Sequence, residues 1–330
     1  MKKTLLALAI AASATSVQAI ELYNQDGVTV DLKGDIEVRY KKSTTKDSEA
    51  KQEIDDADFG FDTRYAVNED FQVGGYLEFS GDNSDRANDK TSVGNVYVGF
   101  YTTEFGSLKI GKLDTQMDDA GVGSDYLFGV SSFVDDAPFG GEEAVRYDYD
   151  NGSLYAGFGL IQDKHNAKAI GEKGSYFDLK LGYRVADFDF TGFYADAELR
   201  GTKTENNVTS PVYADAALFG LEARFAGIEN VNLELGYYTN EVKEGVAKTT
   251  SSDEDTIALA ADYTFAKYTF AGGYSVTSAN IDGEEDQDNW FLNVGYALAP
   301  NTTAYAEVGG KSETGKDYDT GYGVGIKASF

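Results

Sequence analysis

The chain has 330 residues, 28 of them basic and 56 acidic, a formal net charge of −28, and no cysteine. A surface this acidic repels nucleic acid, whose binding needs lysine and arginine against phosphate, and it attracts cations. The lack of cysteine removes disulfides, thiolate metal sites and a thiol nucleophile, while 23 tyrosines, 20 phenylalanines and one tryptophan argue against a disordered acidic chain.

Residues 1–19 begin with Lys2 and Lys3, continue through an apolar run from Leu5 to Ala14, and end in Val17-Gln18-Ala19. That layout is a secretory signal peptide with a small-residue cleavage site, too short to span a bilayer. A single mature domain over residues 20–330 is expected, and loss of the two lysines takes its formal charge from −28 to −30. No later run of about 20 apolar residues exists, so no transmembrane helix is predicted.

From Val28 to Tyr40 one parity reads Val28, Val30, Leu32, Gly34, Ile36, Val38 and Tyr40, and the other Thr29, Asp31, Lys33, Asp35, Glu37 and Arg39. Side chains alternate across a strand, so one face is apolar and the other charged. The segment 55–67 repeats this, with Phe59, Phe61 and Tyr65 against Asp58, Asp62 and Arg64, and 71–80 follows after a short polar turn. The strand over 93–102 alternates poorly: Val96, Val98 and Phe100 fall on the parity that is polar elsewhere, as a wall covered by an inward-folded loop requires. On the next strand, 107–113, Lys112 shares parity with Leu108 and Ile110 and is expected to face outward, against the acidic second loop of a neighbouring subunit.

The stretch from Asp114 to Glu143 reads as neither strand nor hairpin. It carries the acids Asp114, Asp118, Asp119, Asp125, Asp135, Asp136, Glu142 and Glu143, no lysine or arginine, and the apolar Tyr126, Leu127, Phe128, Phe133, Val134 and Phe139. Loops this long are functional or disordered, and this one is too apolar for a solvated linker. A loop folded back into a barrel, narrowing its pore, accounts for both properties. Its oxygen-rich DDAGVGSDY segment lacks the ligand spacing of an EF-hand calcium loop, and no metal site is assigned.

Further strands are predicted over 144–149, 153–161, 176–185, 188–199, 215–225, 231–240, 256–265, 268–278, 289–298, 303–311 and 320–330, sixteen in all. Short turns such as Ala186-Asp187 alternate with long polar connections such as RGTKTENNVTSP. Outer-membrane barrels place short turns at one rim and long loops at the other, with an even strand number. An antiparallel sandwich also alternates, but it fills its middle with bulk, whereas here glycines and charges occupy one set on nearly every strand. The predicted fold is an all-β transmembrane antiparallel barrel of sixteen strands with an inward-folded third loop. The single histidine, His165, lies in a polar loop without visible catalytic partners.

Over its mature length the chain resembles the general porins of Gram-negative outer membranes. The resemblance rests on LYNQDGVTVDLKGDIEV, on FGSLKIGK before the long loop, on Pro138-Phe139-Gly140-Gly141 within it, on VRYDYDNG after it, on YALAPNTTAY and on the terminal Phe330. It implies an outer-membrane homotrimer in contact with lipid and lipopolysaccharide, a constriction formed by the third loop, passage of small hydrophilic solutes and cations, an assembly role for Phe330, and neither enzyme activity nor a cofactor. Family constrictions set loop acids against a basic wall; here two such wall positions are Asp35 and Asp58. The remaining inward basic candidates are Lys33, Arg39, Arg64, Lys109, Arg146, Lys180 and Arg184. A more negative eyelet, and hence cation preference, is expected; an anchored structural or adhesive barrel without transport is the alternative.

Overall fold

The computed structural model describes residues 19–81, 92–132, 139–165, 170–205, 208–247, 249–280 and 285–330. Residues 1–18, most of the second loop, and Phe133, Val134, Asp135, Asp136 and Pro138 of the third loop lie outside the described residues.

The elements are β1 (Ile20–Gln25), β2 (Val28–Lys42), β3 (Lys51–Ala66), β4 (Phe71–Ser80), β5 (Ser92–Thr102), β6 (Gly106–Asp114), β7 (Gly140–Asp150), β8 (Leu154–Gln162), β9 (Ser175–Val185) and β10 (Phe188–Leu199). They continue with β11 (Thr202–Glu205), β12 (Val208–Pro211), β13 (Ala214–Ile228), β14 (Val231–Glu244), β15 (Thr249–Phe265), β16 (Tyr268–Ala279), β17 (Gln287–Ala299), β18 (Thr302–Glu313) and β19 (Gly321–Ser329). Strands β2–β10 and β13–β19 are the sixteen staves of a closed antiparallel barrel, each paired with the next, and β19 pairs back with β2. Closure is what lipid demands, because an open edge would leave backbone N–H and C=O groups unpaired in hydrocarbon.

Three strands have no counterpart in the sequence reading. The hairpin β11–β12 sits inside a long polar connection. Strand β1 pairs with the beginning of β2, from Ile20 opposite Leu32 to Gln25 opposite Val28, on the edge that β19 occupies further along. Phe330 ends that stave, its N–H and C=O both bonded to the backbone of Gly34 at 2.8 and 2.7 Å.

The barrel is inside out relative to a soluble protein. Leu181, Leu292 and Val324 are 55–60% exposed on its outer face, whereas Asp62, Asp178, Glu222 and Glu307 are at most 3% exposed within. One expectation is corrected here. Leu77 pairs with Val96 but Phe79 with Val93, so β5 holds one extra residue at Gly94–Asn95. This β-bulge shifts the alternation by one. Val96, Val98 and Phe100 therefore point outward beside Leu77 and Val73, and Asn95, Tyr97, Gly99 and Tyr101 line the lumen. The poor alternation marks a bulge, not a loop-covered wall.

Candidate functional site

The third loop leaves β6 at Thr115 and returns at Phe139, and the Thr115 N–H donates to the Phe139 carbonyl at 2.7 Å, closing its neck. A single 3-10 turn, Gln116–Asp119, turns the chain into the barrel. There the Met117 N–H donates to Asp178 at 2.9 Å, and the Gln116 amide donates to the Tyr147 carbonyl and Asp148 at 3.1 and 3.0 Å. Leu113, Met117 and Val122 pack with Ile161, Tyr176, Phe193, Leu218 and Tyr238, a small apolar core inside the lumen. This packing buries the first part of the loop's apolar content, Met117 and Val122.

From Ala120 onward the loop runs along the inner wall, hung on carboxylates. Gly121 N–H donates to Glu222 at 2.6 Å and Gly123 N–H to Glu234 at 3.1 Å, while Arg224 donates to the Gly121 carbonyl at 2.6 Å and Asn293 to the Ser124 carbonyl at 2.7 Å. At the tip one carboxylate, Glu307, accepts the N–H groups of Tyr126, Leu127 and Phe128 at 2.6, 3.1 and 2.8 Å, plus the Asn293 amide at 3.1 Å. Hydrogen bonds to an ionised acceptor contribute about 1.5–3 kcal/mol each, so this residue is the strongest single attachment.

The tip also has a shaped seat. The Tyr126 ring stacks on Tyr305, centroids 4.2 Å apart and planes within 2°. Lys41 donates to the Leu127 carbonyl at 2.8 Å and stands 5.1 Å from the Phe128 ring centroid. A Cβ at Gly295, Gly309, Gly321 or Gly323 would overlap Tyr126, Phe128 or Leu127. The glycines on the inward face of β17–β19 are thus the floor on which the loop tip lies. The chain then turns back, with Ser131 N–H donating to the Ser275 hydroxyl at 2.9 Å.

The candidate acids are spread over several places. Asp114 ends β6 and accepts from Asn95 at 3.1 Å. Asp119 is bridged by Arg146 at 2.6 Å and by Lys180, both on the wall that carries the loop. Asp118 makes no ion pair among the described residues; although solvent-accessible, it is enclosed by the barrel, and this desolvation, reinforced by Asp114 and Asp119, pushes its carboxyl up to about 6. Burial, with Glu307 nearby, also raises Asp125. Glu142 and Glu143 sit on β7, away from the constriction. Glu143 is turned to the rim, where it accepts the N–H groups of Lys164 and His165 at 3.1 Å and contacts the exposed His165 ring.

On the wall, Lys33 and Arg64 both bind Asp62, at 2.7 and 2.9 Å, and Arg39 binds Glu53 at 3.0 Å and also Asp55. Lys109 reaches Asp148 at 3.4 Å, and Arg184 binds Asp150 and Asp189 at 2.8 and 3.2 Å. Asp35 is held by Lys327 at 2.6 Å, which also reaches Asp56 and Glu37 at 3.4 and 3.7 Å; Asp58 accepts the Gly81 N–H at 3.2 Å. Sequence reasoning missed Lys41, Arg224 and Lys327, as well as the anchoring carboxylates Asp178, Glu222, Glu234 and Glu307. Their inward parity was readable; their partner, a loop threading the lumen, was not. Among the described residues no hydrogen bond from loop residues 116–132 reaches β3, β4 or β5.

A family model described as Gram-negative porin matches residues 4–316. The chain belongs to the Gram-negative porins. A curated relative, porin-like protein H of Photobacterium profundum, is 31% identical over 346 residues and covers all of both chains. Among solved structures, OmpT of Vibrio cholerae superposes with a TM-score of 0.80 in its loop L8 deletion form, at 24% identity over 92% of this chain and 100% of that one. Its trimer form gives 0.75 at 22% identity, with the same coverage. An anion-selective porin from Comamonas acidovorans gives 0.73 at 16% identity, over 92% of this chain and all of that one. Selectivity therefore does not follow from the shared fold and has to be argued from this chain's own charges.

Proposed function

We propose that this outer-membrane porin is a diffusion channel for water, ions and small hydrophilic solutes, that it prefers cations, and that its passage lies between the third loop and the wall of β2–β6. The observation that carries the cation preference is how charge is shared where β19, β2 and β3 adjoin on one side of that wall. Lys327 is divided among Asp35, Glu37 and Asp56, and Arg39 between Glu53 and Asp55. On the loop side Asp118 has no cationic partner among the described residues, and Asp119 is shared between two. Rings of carboxylates in a narrow aqueous path raise local cation concentration and oppose anions.

On this reading residues 1–19 are an export leader and 20–330 one barrel domain. The assembly is a homotrimer in contact with lipid and lipopolysaccharide. Lys112 supports the trimer: it lies opposite Val96 on the outer face, its ammonium bonded to the Val93 carbonyl. A charge on the lipid face costs about 2–4 kcal/mol at mid-depth, and a subunit interface removes that cost.

Swelling of liposomes containing the purified protein tests the channel. Neutral solutes should enter at rates that fall with their size, and cationic solutes faster than anionic ones of equal size. Liposomes that do not swell would favour an anchored structural barrel instead.

A further inference from the structure

We infer that the lumen wall of β3–β6 carries a stacking subsite for a neutral pyranose sugar, an inference that rests on the diffusion-channel reading. Cross-strand register sets Asp62, Tyr76 and Tyr97 side by side on three neighbouring strands. The Tyr76 and Tyr97 rings have centroids 5.4 Å apart and planes inclined by 34°. Gly60 lies beneath Tyr76, where a Cβ would stand 2.5 Å from the phenol oxygen and 2.6 Å from Cζ. The ring is therefore laid flat on the wall and offers a face to the lumen. In the next register row Gly74 and Gly99 separate Arg64 from Lys109, and the Tyr101 ring lies over Gly99 where a Cβ would stand, so the aromatic surface continues from Tyr76 and Tyr97 to a third ring.

Fixed hydrogen-bonding groups surround the rings. The Tyr76 hydroxyl donates to Glu78 at 2.8 Å, Asp62 accepts Lys33 and Arg64, and Asn95 donates to Asp114 at 3.1 Å. The local charges nearly balance, Asp62, Glu78 and Asp114 against Lys33, Arg64 and a Lys109 shared with Asp148. That balance is unusual in a chain with twice as many acids as bases. It favours neither a cationic nor an anionic solute. Two of the ring faces are already taken by this chain's own cations, Arg64 at 3.9 Å from the Tyr101 centroid and Lys109 at 5.9 Å from that of Tyr97, which leaves the face of Tyr76 beside two fixed positive charges that oppose a further cation. A pyranose suits what remains: its C–H face packs on the electron-rich face of Tyr76, and its rim of hydroxyls meets carboxylate, ammonium and guanidinium groups that both accept and donate.

The test is current-noise analysis of single channels of the purified protein in planar bilayers, with glucose and its open-chain counterpart sorbitol as probes. Glucose should add saturable, concentration-dependent noise, and sorbitol, which has the hydroxyls but no ring face, should not. Tyr76→Ala should weaken the glucose effect about fivefold, as loss of one aromatic contact implies, and Tyr76→Phe should retain it. The wild-type comparison of the two probes needs no variant, and Tyr97→Ala gives a second one. If the channel conducts ions but glucose and sorbitol act alike, the subsite is overturned while the channel stands. Block by benzyltrimethylammonium that depends on Tyr76, with none by glucose, would also overturn it. A protein that conducts no ions would overturn the channel reading itself.

Discussion

Glu307 shows how much one side chain can decide. A carboxylate that takes three consecutive backbone N–H groups fixes the position and orientation of the loop tip together, and its removal leaves those donors inside the barrel with water as their only replacement. Glu307→Ala should loosen the tip by about 3 kcal/mol without opening the barrel, whose strand ladder does not involve this carboxylate. Faster amide exchange at Tyr126, Leu127 and Phe128, together with a larger and noisier unit conductance, checks this. Asp118 makes the second prediction at this scale. Its carboxyl is raised to about 6, so it is charged above that pH and neutral below. Cation preference should fall as pH drops from about 7.5 to 5, and Asp118→Asn should remove part of that step, Asp125 being raised as well, as read by reversal potentials at the two pH values. At this scale the sequence was only partly legible. Parity identified Lys33, Arg39 and Arg64 as inward-facing, but whether an inward acid such as Glu222 faces water or holds a loop depends on a segment a hundred residues away.

At the scale of elements, the alternation of β2, β3 and β9 was readable because each strand has one wet and one lipid-facing side, and period two follows directly. Legibility failed where that contrast disappears. The outer ends of β3 and β15 rise into polar loops, so Lys51 and Thr249 carry no apolar signal, and the β5 bulge inverted the parity at Gly94–Asn95. The glycines of β18 and β19 belong to the inner set of glycines and charges that parity shows, but the sequence does not show what fills the space over them, which is taken by Leu127 and Phe128. This yields a prediction opposite in sign to that for Glu307. Gly323→Val adds bulk under Leu127 without changing any charge, lifts the tip toward the lumen and should lower unit conductance, while selectivity is retained. Paired measurements of conductance and reversal potential on this variant separate the two effects.

In the molecule as a whole, a closed wall, a strapped loop and an excess of acid act together. Closure makes the barrel independent of its loop, so the loop can be shaped for selection. Crosslinking in mild detergent should trap trimers, and Lys112→Leu should weaken them if a neighbour's acidic second loop covers that site, because removing one partner leaves the other's charge buried and unpaired. The fold is shared with an anion-selective porin, so the sign of selectivity is where this chain's own residues are exposed to test. The most direct measurement is the zero-current potential of the wild-type channel across an approximately tenfold KCl gradient. Because charges within a Debye length of about 8 Å are not fully screened at physiological salt, the potential should lie on the potassium side and shrink toward zero as both salt concentrations are raised. A potential on the chloride side at low salt would contradict the account.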